Sequence, residues 1–267
     1  MSDFTATPMG LRHKGLINLV ASGTRLVQQA HLVQKIAHSG HVLAEIHRNL
    51  AIPSHVAPEP QTEWLSHADW ENDSGVPLQS FQTTWRVPPP PTTKGDQTIF
   101  LFNSMKPHDG RHILQPVLQW GASSFPAAEK RWAVASWWVG APDEPLFITD
   151  LVPVSTGDTL VGLMTLASGN GMSFEYTCEF VGVPGTKLVI SNVPELTICS
   201  EALEVSNISQ PSDFPQAART TMGNIAINAG GANAAVAWMA AGRSPPAIVN
   251  NSGHNGQVDL HYPAQWP

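Results

Sequence analysis

From Leu78 onward, apolar and polar residues alternate in short runs, and each run closes on a turn signal. A period of two predicts strands, and the pattern puts them at about 79–87, 98–104, 113–120, 132–139, 146–150, 159–167, 172–181, 187–192, 196–206, 222–228, 234–239 and 257–262. Pro88 to Pro91 is a polyproline break that no sheet interior holds. Ser168-Gly169-Asn170-Gly171 is a hairpin signal, because Asn-Gly suits positive φ. Many short strands at this spacing predict a mainly β domain over 78–267, built as a sandwich or closed barrel. The clearest run is Ile113-Leu114-Gln115-Pro116-Val117-Leu118-Gln119-Trp120. Alternation sets Ile113, Gln115, Val117 and Gln119 on one face and Leu114, Pro116, Leu118 and Trp120 on the other. Two neutral amides therefore share a face, each able to polarise a carbonyl or hold a hydroxyl without desolvating a charge.

Residues 11–50 follow another pattern. Leu16, Val20, Leu26, Val27, Ala30, Val33, Ile36 and Ala37 recur at helical spacing, and Val42, Leu43, Ile46 and Leu50 resume after Ser39-Gly40. This predicts a helical extension over residues 1–50. Residues 51–77, with prolines, acids, Trp64 and Trp70 but no period, are expected as a linker.

Charge sharpens the contrast. Residues 11–50 hold five bases (Arg12, Lys14, Arg25, Lys35, Arg48) and one acid (Glu45), a net +4; the whole chain is −7, so the remainder is −11. The extension is expected to dock on an acidic domain, as a packed cap or as a cover whose five histidines respond to pH. The net negative charge argues against nucleic acid as the main partner. No apolar run approaches a membrane span, and the N-terminus lacks a basic stretch followed by an apolar one. The expectation is an intracellular, cytoplasmic chain with Cys178 and Cys199 as free thiols. No histidine spacing marks a metal site, and no cofactor is expected.

Several motifs occur in a telling order: Trp85-Arg86-Val87-Pro88, Ile113-Leu114-Gln115, Ala135-Ser136-Trp137-Trp138, Ser155-Thr156-Gly157-Asp158-Thr159-Leu160, Ala202-Leu203-Glu204-Val205 and Gly256 to Tyr262. Over roughly residues 79 to 262 this order resembles the fungal glutamic peptidases, the eqolisins. The resemblance implies a concanavalin-like sandwich of two antiparallel sheets. It also implies a catalytic pair, Gln115 and Glu204, with Glu201 as a rival on the opposite face. A half-buried glutamate with a raised pKa would take a proton from water and return one to a leaving amine. The glutamine amide would donate to the oxyanion. Trp137, Trp138, Asn103, Ser136 and Gln119 are the expected substrate-binding residues. Asn103 and Ser136 stand where the family tends to carry an aspartate and a glutamate.

Three functions are compatible with this reading. One is a glutamic-peptidase-like hydrolase. Another is an enzyme doing acid–base chemistry on a small molecule with the same pair. The third is a carbohydrate-binding sandwich without turnover. The expected ligand is accordingly a peptide or a small molecule.

Overall fold

The structure is a computed structural model that describes residues 3–48, 63–121, 130–242, 246–251 and 255–265. The N-terminal segment forms β1 (Phe4–Thr7), β2 (Gly10–His13), β3 (Ile17–Leu19), β4 (Arg25–Gln28), β5 (Leu32–Ile36) and β6 (Val42–His47). Next come β7 (Glu63–Glu71), β8 (Leu78–Arg86), β9 (Thr98–Lys106), β10 (Ile113–Trp120), β11 (Trp132–Val139), β12 (Leu146–Ile148), β13 (Val152–Pro153) and β14 (Thr159–Gly169). The chain continues through β15 (Phe174–Phe180), β16 (Leu188–Val193), β17 (Ile198–Ser206) and β18 (Arg219–Ala229). The last strands are β19 (Ala232–Asn233), β20 (Met239–Gly242), β21 (Ile248–Asn250) and β22 (Gln257–His261).

Two sheets stack into the expected sandwich. The first runs β20-β7-β17-β9-β10-β11-β12-β3, with β13 beside β11. The second runs β21-β22-β18-β8-β14-β15-β16-β4-β5-β6, with β19 beside β18. Pairing is antiparallel except where the N-terminal segment joins: β3 lies parallel to β12 and β4 parallel to β16. The core between the sheets is mainly apolar and includes Phe81, Trp85, Leu101, Leu114, Leu118, Trp138, Tyr176, Ile190 and Leu203. Gly162 is needed where the sheets approach, because a Cβ there would stand 2.5 Å from Asn103 Oδ1 and 2.8 Å from Pro116 Cγ.

The predicted helical extension is not present; the described part of residues 1–50 is strand, with a single 3-10 turn at Lys14–Leu16. Its strands are three to six residues long, and Gly23 (φ 86) and Gly40 (φ 85) make turns on either side of the β4–β5 pair. The apolar positions that fit a helical period fit a short alternating strand as well. Instead of capping the sandwich, the segment is woven into both sheets, and Leu26 and Val33 sit in the main core. Among the described residues, two of its arginines pair with acids of the later chain: Arg25 lies 3.6 Å from Glu175 and Arg48 lies 2.6 Å from Glu144. The expected linker holds β7, which pairs with β17 in the first sheet; residues 51–62 lie outside the described residues. Cys178 and Cys199 are free and buried in the core.

Candidate functional site

The first sheet has a second buried face, turned away from the sandwich core. It carries its own apolar cluster, with Phe100, Phe102, Ile113, Val117, Ala135, Trp137 and Ala202, and with Ala6 and Ile17 from the N-terminal segment. Both Gln115 and Glu204 belong to this outer face. On β17, Ser200, Ala202 and Glu204 point outward; on β10, Gln115, Val117 and Gln119 do. The register lines them up across the sheet. Glu204 pairs with Phe100, which pairs with Gln119, which pairs with Ala133.

Gln115 is on the same face but on another line. It stands two strands across and four residues along from Glu204. At ~4.8 Å per strand and ~3.4 Å per residue, their Cα atoms are roughly 17 Å apart. The glutamine brought nearest to Glu204 is Gln119, whose Nε2 donates to Gly121 O at 3.1 Å. The expected pair therefore shares a surface, but its two members cannot touch one small group directly.

Glu204 is fully buried beneath the β1–β2 hairpin. The turn places Met9 at φ 75 and Gly10 at φ 106, which aims two successive main-chain N–H groups at the carboxylate. Met9 N donates to Oε2 at 2.9 Å and to Oε1 at 3.0 Å, and Gly10 N donates to Oε1 at 3.1 Å. Thr7 Oγ1 donates to Gly10 O at 2.7 Å and locks the turn. Burial pushes the Glu204 carboxyl up to about 7; the two N–H donors, the Trp64 side chain and the Arg12 charge act in the opposite direction. Arg12 is itself buried, donates to Gly140 O at 3.1 Å, and has its pKa lowered by burial against the pull of Glu204 and Asp143. Met9 and Leu11 pack on the outer cluster, so the hairpin grips by apolar side chains as well as by main chain.

Of the expected substrate-binding residues, Trp137 and Gln119 share the outer face with Glu204. Asn103, Ser136 and Trp138 do not, because the register turns them into the core between the sheets. There, Asn103 Nδ2 donates to Gly162 O at 3.3 Å and Ser136 Oγ to Cys178 O at 3.2 Å, tying one sheet to the other. Trp138 stacks on His112, centroids 5.1 Å apart. Glu201 also points inward. It accepts from Thr83 Oγ1 at 2.5 Å, and burial raises its carboxyl well above the usual range.

Four participants were not assigned to a site from the sequence. Met9 and Gly10 form the lid over Glu204; Pro8-Met9-Gly10 was a readable turn signal. Trp64 packs edge-on against Phe102 at 5.6 Å and lies under Lys106 Nζ at 4.6 Å. Asp69 accepts from Ser200 Oγ, with Lys106 Nζ and His67 Nε2 each 3.4 Å from its carboxylate oxygens. Among the described residues no group of three or more histidine, cysteine, aspartate or glutamate side chains is placed to hold a metal.

No family model matches the chain, and no curated protein matches it in sequence. Solved structures do resemble it in the path of the chain. A scytalido-glutamic peptidase with a transition-state analogue inhibitor aligns over 75% of this chain and 98% of its own, at 14% identity and a TM-score of 0.47. SCP-B, a member of the eqolisin family in complex with the tripeptide Ala-Ile-His, aligns over the same shares at 12% identity and a TM-score of 0.45. The likeness is one of fold.

Proposed function

We propose that the chain is a glutamic-peptidase-like hydrolase held in a covered state, with Glu204 as its acid–base group. The observation that carries the reading is the occupancy of the outer face. A buried carboxyl with a pKa of about 7 already receives a polypeptide segment through successive main-chain N–H groups. A face that accommodates its own hairpin this way suits an extended peptide entering from outside. Glu204 would take the proton of an attacking water and pass one to the leaving amine. Gln119, one strand beyond Phe100, is the amide closest in line for the oxyanion. Gln115 holds substrate further along the strand.

A second reading, peptide binding without turnover, is favoured by one feature: the separation of Gln115 from Glu204. Deletion of residues 2–13 tests both. The opened protein is expected to cleave a denatured protein substrate between acid and neutral pH, and Glu204→Gln should reduce this a hundredfold or more. Binding of the substrate with no cleavage at any pH would leave the non-catalytic reading standing and end the hydrolase one.

A further inference from the structure

The second sheet has an outer face of its own, on the side of the sandwich away from Glu204, and there β8 and β18 part. Their ladder ends at the pair Thr84–Gly223, although β8 runs on to Arg86 and β18 begins at Arg219. A register shift between Gly223 and Ala226, with Asn224 at φ 46, marks the divergence; Arg219 to Met222 pair with β22 instead. The gap is a cleft of about 750 Å³, with Pro88 and Pro89 on one wall and Ala217 on the other. Thr83, Trp85, Thr220 and Met222 are buried, so alternation turns Thr84, Arg86, Arg219 and Thr221 outward into it. Gly223 lies in line with them. Its backbone is not left-handed, and a Cβ there would meet only Thr221 Cγ2, at 3.9 Å. Neither strain nor crowding within the fold accounts for the missing side chain, which leaves the cleft deeper.

The charges around the cleft are unequally satisfied. Asp259 on β22 accepts from Thr221 Oγ1 at 2.5 Å and from Gln257 Nε2 at 3.3 Å, and lies 3.4 Å from Arg219 Nε. One arginine is thus balanced by one acid. Arg86 has no such acid: its side chain, with those of Thr84, Thr159 and Asn224, lines the cleft without a protein partner among the described residues. A guanidinium presents a planar fork that fits a carboxylate, and a single uncompensated positive charge suits a monoanion better than a phosphate dianion. The neutral groups beside it are two hydroxyls and an amide, each able to donate to and accept from ligand hydroxyls. Pro88 and Pro89 add apolar surface for C–H groups. We infer that this cleft is a binding site for a sugar acid, with the carboxylate on Arg86 and the ring hydroxyls on Thr84, Thr159 and Asn224. The ligand is either a free sugar acid or one residue of a polyuronide. The site is independent of the Glu204 face, which lies on the other sheet.

Calorimetry on the full chain tests this with three probes: galacturonate, tri-galacturonate and the neutral galactotriose. Both acids should bind, with an affinity that falls as salt rises, and galactotriose should bind at least tenfold more weakly than tri-galacturonate. Arg86→Gln should weaken the acids tenfold or more, because it removes the charge and the fork together. Gly223→Leu should weaken them at least fivefold by filling the cleft, while the thermal midpoint stays level or rises, since leucine suits a strand better than glycine. A tri-galacturonate affinity well above that of galacturonate identifies the polymer as the source of the ligand; equal affinities identify the free sugar acid. No binding of either acid at about 10 mM would overturn the site. So would binding that Arg86→Gln and Gly223→Leu both leave unchanged, or galactotriose binding as tightly as tri-galacturonate.

Discussion

Glu201 and Glu204 are three residues apart on one strand, and the sheet sends them to opposite sides. Both are buried, and burial raises both carboxyls. Glu201 faces the core between the sheets and accepts from Thr83, while Asn103 and Ser136 in the same line each bond across to the second sheet. Its described neighbours Thr83, Ala68 and Asn103 belong to β8, β7 and β9 of the two sheets. Glu204 faces outward, and its donors come from the β1–β2 hairpin, which forms a two-stranded sheet of its own. Equal burial therefore has two origins. One carboxyl is enclosed between the two sheets; the other is enclosed by a hairpin outside both, which the proposed covered state takes to be removable. Only the second arrangement offers a substrate a way in.

The largest expected effect separates the two glutamates by activity. In protein lacking residues 2–13, Glu204→Gln should abolish cleavage of a denatured substrate, a loss of a hundredfold or more, whereas Glu201→Gln should leave the rate within about threefold. Equal losses from both changes would erase the distinction.

The next effect is a pH dependence of stability. Glu204 has an ordinary pKa of 4.5 in the unfolded chain and about 7 when covered. Below pH 4.5 both states hold the proton, and the contribution is complete. As pH rises from 4.5 through 7 the unfolded chain releases its proton first, so stability falls by up to about 3 kcal/mol. Glu201 shifts stability in the same direction, so the useful quantity is the difference between wild type and Glu204→Gln in denaturant unfolding at pH 4.5 and pH 8. The wild type should lose stability relative to the variant; a constant difference would show that the carboxyl is not desolvated.

A smaller effect tests the core side. Ser136→Ala removes one bond to Cys178 O and should cost about 1 kcal/mol. It should not change peptide binding or cleavage, which a substrate-binding Ser136 would.

Much of the sandwich was readable in the sequence. Alternation located β10 and β11 to the residue, because runs buried on both faces still end at Gly121 and at Val139-Gly140. Alternation also separated Glu201 from Glu204. What it cannot supply is register between strands, which is set by non-local pairing. Whether Trp137 or Trp138 shares a face with Gln115 depends on the pairing Gln115–Trp137, and no local signal in either strand announces it. The roughly 17 Å between Gln115 and Glu204 was hidden for the same reason. The N-terminal segment misled in another way. Leu26, Val27 and Val33 satisfy a helical period across a stretch that folds as the β4–β5 hairpin, turning at residues 29–31.

The central claim is that the β1–β2 hairpin is a removable cover and not part of the fold that encloses Glu201. Native-state hydrogen exchange at the amides of Met9 and Gly10, compared with those of Val117 and Leu118 in β10, measures this directly. The hairpin amides should exchange through a local opening several kcal/mol below the global unfolding free energy, with little dependence on denaturant. Exchange of Met9 and Gly10 only through global unfolding, with the same free energy as the β10 amides, would make the hairpin a permanent part of the core and contradict the account.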